Sequence, residues 1–202
     1  MTEVTSHVKA GILVLPGGRP KSQARSQPWQ LANLRIELLA RSLRRRVGAG
    51  VEVRRVQYRL RGWNPSSLDA LSDARVALDE MHDVVDDGPI VVVGHSMGGR
   101  VAAHLAAEGR VAAVAALAPW WPEDDGDLIP PGCPLLTMHG SADTWTDPVA
   151  SRTQTLRAAT RGVDAQWVDF PGAGHFLLRG YGRWHRLTAE FARAQWSERS
   201  QA

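Results

Sequence analysis

Ile90-Val91-Val92-Val93-Gly94-His95-Ser96-Met97-Gly98-Gly99 is the stretch that decides the fold of this 202-residue chain. An unbroken β-branched run reads as a strand buried on both faces, as in a parallel sheet. The glycines after it mark a turn too tight for bulky flanking side chains. Val101 and Leu105 then begin a helix that Gly109 closes. A strand, a sharp turn and a helix in that order make half of a βαβ unit.

The same alternation extends outward. Ala10 to Leu15 is a short apolar strand stopped by Pro16-Gly17-Gly18. Trp29 to Val47 places Ile36, Leu39, Leu43 and Val47 at steps of three and four, an amphipathic helix with Gly48 as its cap and Trp29 in the core. Val51 to Tyr58 alternates as a second strand, with Val51, Val53 and Tyr58 inward. Asn64-Pro65-Ser66-Ser67 opens another helix, Ser66 and Asp69 approximating a capping box, and Asp86-Asp87-Gly88-Pro89 ends it. Val111 to Ala118, Leu135 to Met138 and Gln166 to Phe170 read as strands. Ser151 to Thr160 and a closing segment with Leu187, Phe191 and Trp196 read as helices. Alternating strands and helices imply right-handed crossovers and a mostly parallel sheet covered on both faces. With no repeat and no long linker, residues 1–202 form one α/β domain with a core at about 10–195.

Composition excludes several classes. At 44% hydrophobic and 22% charged residues the chain is neither disordered nor fibrous. Uncharged stretches such as Val111 to Pro122 fall short of the ~20 residues a membrane span needs. Met1 to Lys9 is polar, so a cytoplasmic location is expected. Cys133 is the only cysteine, and His and acid pairs at ligand spacing are absent. Neither a disulfide within the chain nor a metal or other cofactor is expected. The net charge is +3, and only Lys9 and Lys21 among the 24 bases are not arginine. The arginine-rich Arg41–Arg61 region lacks aromatic interleaving and reads as a solvated face, not a nucleic-acid footprint.

Gly94-His95-Ser96-Met97-Gly98 fits G-x-S-x-G between strand and helix, the context that exposes a serine Oγ at the carboxyl edge of a sheet. A serine hydroxyl needs a base, and the base an orienting acid. Asp143 follows the Leu135–Met138 strand in His139-Gly140-Ser141-Ala142-Asp143. His175 follows the last strand in Pro171-Gly172-Ala173-Gly174-His175. Both loops open on the serine's edge, and Ser96, Asp143 and His175 occur in the order of an α/β-hydrolase triad.

Together with Leu15-Pro16-Gly17-Gly18, these motifs resemble the α/β-hydrolase superfamily over about residues 10 to 195. The resemblance implies six parallel strands with helices on both faces. It makes Ser96 the nucleophile, His175 the base and then acid, and Asp143 the group that orients His175. It implies an oxyanion hole of the Met97 amide and that of Gly18, with Arg19 as the alternative. A cap domain is not expected, because only Pro119 to Pro134 stands where one is usually inserted.

Trp63, Trp120, Trp121 and Trp145 fall in loops at the catalytic edge and are candidates to wall an apolar substrate pocket. Trp167 and Trp196 read as core. His95, His139 and His104 read as structural, and Asp147 before Pro148 as a helix start. Glu123, Asp124 and Asp125 are the alternative source of the triad acid. These readings lead to a small, lidless serine hydrolase acting on small carboxylic esters, with no nucleic-acid or membrane partner. Thioesterase or acyltransferase chemistry on the same triad, or a non-catalytic relative binding a small ligand, are the alternatives.

Overall fold

The computed structural model describes residues 8–85 and 87–197. Six strands, β1 (Ala10–Leu15), β2 (Val51–Arg55), β3 (Ile90–His95), β4 (Ala113–Leu117), β5 (Leu135–Gly140) and β6 (Ala165–Phe170), pair in the order β2-β1-β3-β4-β5-β6. Every pairing is parallel. The central strands β1, β3, β4 and β5 are buried at every position, as their continuous apolar runs require. The edge strands β2 and β6 are only partly covered.

Helices α1 (Leu31–Val47) and α5 (Tyr181–Ser197) cover one face, and α2 (Asp69–His82), α3 (Met97–Ala107) and α4 (Pro148–Thr160) the other. Strand period decides which core a residue joins. Ile12 and Val14 pack with Ile36, Leu39 and Trp184, whereas Leu13 and Leu15 pack with Leu71, Leu78 and Val101. Each such aliphatic side chain contributes about 1.5–3 kcal/mol by leaving water. The chain runs outward from β1 to β2 and then returns to the other side of β1 as β3. That reversal opens a crevice at the carboxyl ends of β1 and β3, where open α/β sheets bind ligands.

Several local expectations are corrected. Trp29 precedes α1 and is 70% exposed, so it is not core. Strand β2 ends at Arg55, although Tyr58 beyond it is buried. The Ser66–Asp69 capping box does not form: Leu68 stands before α2 in the left-handed region, with φ 49°. Asp69 instead accepts from Ser67 Oγ at 2.5 Å and Asn64 Nδ2 at 2.8 Å, which ties down the preceding loop. Helix α5 turns Trp184, Ala192 and Trp196 inward and leaves Leu187 and Phe191 half covered. Asp86, placed in the turn after α2, lies outside the described residues, as does the polar segment Met1 to His7.

Other expectations hold. Gly48 ends α1 at φ 87°. Asp147 caps α4, accepting from the amides of Val149 and Ala150. Within the Arg41–Arg61 region several arginines meet acids of the chain: Glu37 meets Arg41 at 3.0 Å and Arg55 at 3.3 Å, and Asp73 meets Arg59 at 2.5 Å, whereas Arg45, Arg46 and Arg61 make no ion pair among the described residues. Cys133 is buried and unbridged.

The connection from Pro119 to Pro134 is pinned to α3 and α4. Trp121 Nε1 donates to Gly99 O at 3.1 Å, and the Gln154 amide donates to Trp121 O and Glu123 O. Arg100 Nε meets Asp125 at 2.7 Å with both side chains nearly inaccessible. The segment is a fixed rim containing one 3-10 turn, Asp125–Leu128. Among the described residues no helix is long and apolar enough to cross a membrane.

Candidate active site

Ser96 stands alone between β3 and α3 with φ 56° and ψ −120°, a conformation that side chains rarely adopt and that costs about 1–3 kcal/mol. The surrounding backbone enforces it. A Cβ on Gly94 would overlap the Gly98 carbonyl, and one on Gly98 would overlap the Leu15 carbonyl. Ser96 N donates to Leu117 O at 3.0 Å, and Trp120 N donates to Ser96 O at 3.0 Å. The Ser96 side chain makes no capping bond to α3, so the strain presents a hydroxyl that the helix does not use.

Gly17 faces the serine, with room for a Cβ only 3.3 Å from Ser96 Cβ. Met97 is the first residue of α3, where backbone amides have no partner in the helix and the helix dipole is positive. Arg19 N donates to Arg61 O at 2.8 Å and is committed there. Gly18 packs against the Met97 side chain and the Arg61 carbonyl.

His175 Nδ1 lies 2.8 Å from Asp143 Oδ2, both side chains being almost wholly buried. A carboxylate only accepts, so Nδ1 carries a proton, and in the neutral ring the lone pair is then on Nε2. The His175 carbonyl accepts from His95 Nε2 at 2.9 Å, a bond linking the elbow to the histidine loop across 80 residues of sequence. His95, expected to pack or hydrogen-bond locally, instead reaches a distant loop and fixes the backbone of the candidate base. Burial, with His175 nearby, pushes its pKa down to about 3, so it is neutral.

Asp143 is held more firmly than its sequence context suggests. Its Oδ1 accepts from the amides of Trp145 at 2.7 Å and Thr146 at 3.1 Å. Its Oδ2 accepts from His175, from Thr146 Oγ1 at 2.8 Å and from His139 Nε2 at 3.0 Å. Burial alone would raise the carboxyl pKa, but His139, His175 and the two amides outweigh it and hold Asp143 well below the usual range. The other acids are engaged elsewhere: Glu123 and Asp125 with Arg100, Asp124 with Arg157.

Three of the four loop tryptophans meet beside this pair. Trp120, Trp121 and Trp145 line a cleft of about 510 Å³ that reaches Asp143 and Thr146. Trp145 is 73% exposed and lies flat over His175, rings 5.7 Å apart and 6° from parallel. Trp63 is a correction. It is 2% exposed in the core, its ring 4.9 Å from His104 and under the Arg100 guanidinium, which it shares with Trp120. Sequence reading missed Thr146, Phe176 and the bond from His139 to Asp143. A His four residues before the acid across a Gly-containing turn was the available signal for the last.

Among the described residues no group of three or more His, Cys, Asp or Glu is arranged to hold a metal. The site thus comprises a strained serine at the elbow and, in the loops after β5 and β6, an imidazole oriented by a buried carboxylate.

A parallel sheet in this order with a serine at a strained strand-to-helix elbow defines the α/β-hydrolase fold. The chain belongs to the alpha/beta hydrolase family, whose model matches residues 12–195. A curated relative, lipase LipV of Mycobacterium tuberculosis, is 34% identical over 141 residues, 68% of this chain and 52% of LipV. This chain therefore spans about half the length of that relative. Among solved structures, Est1E from Butyrivibrio proteoclasticus superposes with a TM-score of 0.69 at 14% identity, over 96% of this chain and 90% of that one. A serine hydrolase without a lid from Xanthomonas campestris superposes with a TM-score of 0.69 at 20% identity, over 96% and 85%.

Proposed function

We propose that the protein is a serine hydrolase that cleaves small carboxylic esters through an acyl-enzyme on Ser96. The carrying observation is the 2.8 Å bond from His175 Nδ1 to the buried Asp143 carboxylate, which leaves the other imidazole nitrogen as a base on the edge that presents Ser96. The name of the curated relative, a lipase, supports ester chemistry.

Ser96 Oγ attacks the ester carbonyl while His175 Nε2 takes its proton. The carbonyl oxygen becomes an oxyanion facing the amides of Met97 and Gly18, at the positive end of α3. Collapse expels the alcohol, which receives the proton from His175. Water then attacks the acyl-enzyme with His175 again as base, releasing the acid and restoring Ser96. Trp120, Trp121 and Trp145 supply the apolar wall for one arm of the ester.

A fluorophosphonate probe tests this reading. Labelling is expected on Ser96 and lost in Ser96→Ala with the circular dichroism spectrum unchanged. An adduct on another residue, or none on folded protein, would sink the mechanism.

A further inference from the structure

A second groove, of about 430 Å³, runs between α1, α5 and the loop after His175. Leu38, Phe176 and Leu178 supply its apolar lining, Arg35, Arg45 and Arg46 its charges, and among the described residues no carboxylate lines it. Phe176 joins it to the catalytic edge, its ring 5.3 Å from those of both His175 and Trp145. Arg35 lies at the end of α1 nearest that edge, its guanidinium 4.1 Å above the Phe176 ring.

Arg35 differs from the arginines around it. Arg41, Arg44 and Arg55 share Glu37, and Arg54 meets Glu52. Arg35 makes no ion pair among the described residues, and its Nε is buried with no hydrogen-bond partner. Burial lowers its pKa with no acid opposing the effect. Further along the groove, burial chiefly, and Arg46 and Arg45 after it, push His185 down to about 4. A half-buried guanidinium facing an apolar groove without an anion is an incomplete pair.

We propose that this groove takes the anionic end of the substrate, so that the preferred esters carry a carboxylate or phosphate on the arm that crosses Phe176 to reach Arg35. The inference rests on the ester-hydrolase reading and narrows it to amphipathic anions. The rim residues Leu38 and Leu178, 59% and 71% exposed, would cover the arm's hydrocarbon portion.

The test compares matched substrates. For a charge on the acyl arm, mono-p-nitrophenyl adipate and suberate are set against p-nitrophenyl hexanoate and octanoate. For a phosphate on the alcohol arm, butyrylglycerol 3-phosphate is set against butyrylglycerol. In the wild type the anionic member of at least one arm should have the higher kcat/KM. In Arg35→Gln that anionic-to-neutral ratio should fall about tenfold or more, and Arg35→Lys should restore part of it. Raising ionic strength should lower the wild-type ratio. A wild-type ratio near one in both arms, or one that Arg35→Gln leaves unchanged, overturns the proposal. If no ester is hydrolysed, the hydrolase reading fails, and the groove is judged by calorimetry of monomethyl adipate against methyl hexanoate on the wild type and Arg35→Gln. Arg35-dependent binding of the adipate supports it, and equal binding ends it.

Discussion

His139 Nε2 donates to Asp143 Oδ2 at 3.0 Å, the same carboxylate oxygen that His175 reaches at 2.8 Å. Two imidazoles therefore share one oxygen. A carboxylate only accepts, so His139 Nε2 carries a proton, and the far side of the ring is fixed as well, with Ser151 Oγ 2.7 Å from Nδ1. His139 touches no reacting atom in this arrangement. It is a positioning residue that sets where the carboxylate sits.

Removing it should loosen the acid without touching the substrate cleft. His139→Leu is expected to lower kcat by about tenfold with KM nearly unchanged, and to lower stability by about 1–3 kcal/mol. Steady-state kinetics and urea unfolding of the purified variant read both quantities. An unaffected kcat would mean that Thr146 and the two backbone amides suffice to hold Asp143.

Asp143→Asn should be more damaging. The Trp145 and Thr146 amides require an acceptor at Oδ1, so the amide oxygen goes there and the NH₂ group faces both histidines. His175 must then turn a lone pair toward it and carry its proton on Nε2, the wrong tautomer for a base. A fall in kcat of about 10²–10⁴ is expected with the fold retained. A normal rate would move the acid role to the Glu123–Asp125 segment.

Stability should decline in acid through two buried histidines. Burial, aided by nearby positive charge, holds His95 at about 3 and His185 at about 4, against an unfolded value of 6.5. Between those limits the unfolded chain binds more protons than the native one, so stability rises with pH across the window and is lost as pH falls through it. The thermal midpoint should drop from about pH 7 to pH 5, and His185→Gln should flatten part of that slope. Asp143, with a lowered pKa, adds its loss only below its unfolded value of 3.8. A midpoint independent of pH over the upper window would contradict the neutral burial of both rings.

Substrate length follows from the pinned rim. Pro119–Pro134 is tied to α3 and α4 through Trp121, Arg100 and Gln154, so nothing in it swings over a bound acyl chain. Each covered CH₂ contributes about 0.8 kcal/mol, but an open cleft covers few of them. Simple p-nitrophenyl esters should be cleaved best at roughly two to six acyl carbons, with no jump when substrate forms micelles. A rate still climbing past about ten carbons, or rising at the micelle threshold, would mean that the rim moves.

Local chemistry determined what the sequence alone made legible. The run from Ile90 to Val93, the glycines around Ser96, the Gly48 cap and the Asp147-Pro148 helix start each act within a few residues, so their reading needs no knowledge of distant partners. The order of Ser96, Asp143 and His175 followed from strand ends that a parallel sheet must bring to one edge. What only the tertiary structure decided lies in contacts between segments far apart in the chain. Trp63 and Trp145 occupy similar loops, yet one is buried under Arg100 and the other lies open over His175, because burial depends on which helix packs across the loop. His95 reached the His175 carbonyl, and Arg35 came to rest on Phe176 without an acid, through packing that neither period nor spacing encodes. Periodicity tells a residue which face to turn inward; the partner it meets there is set by how the layers close.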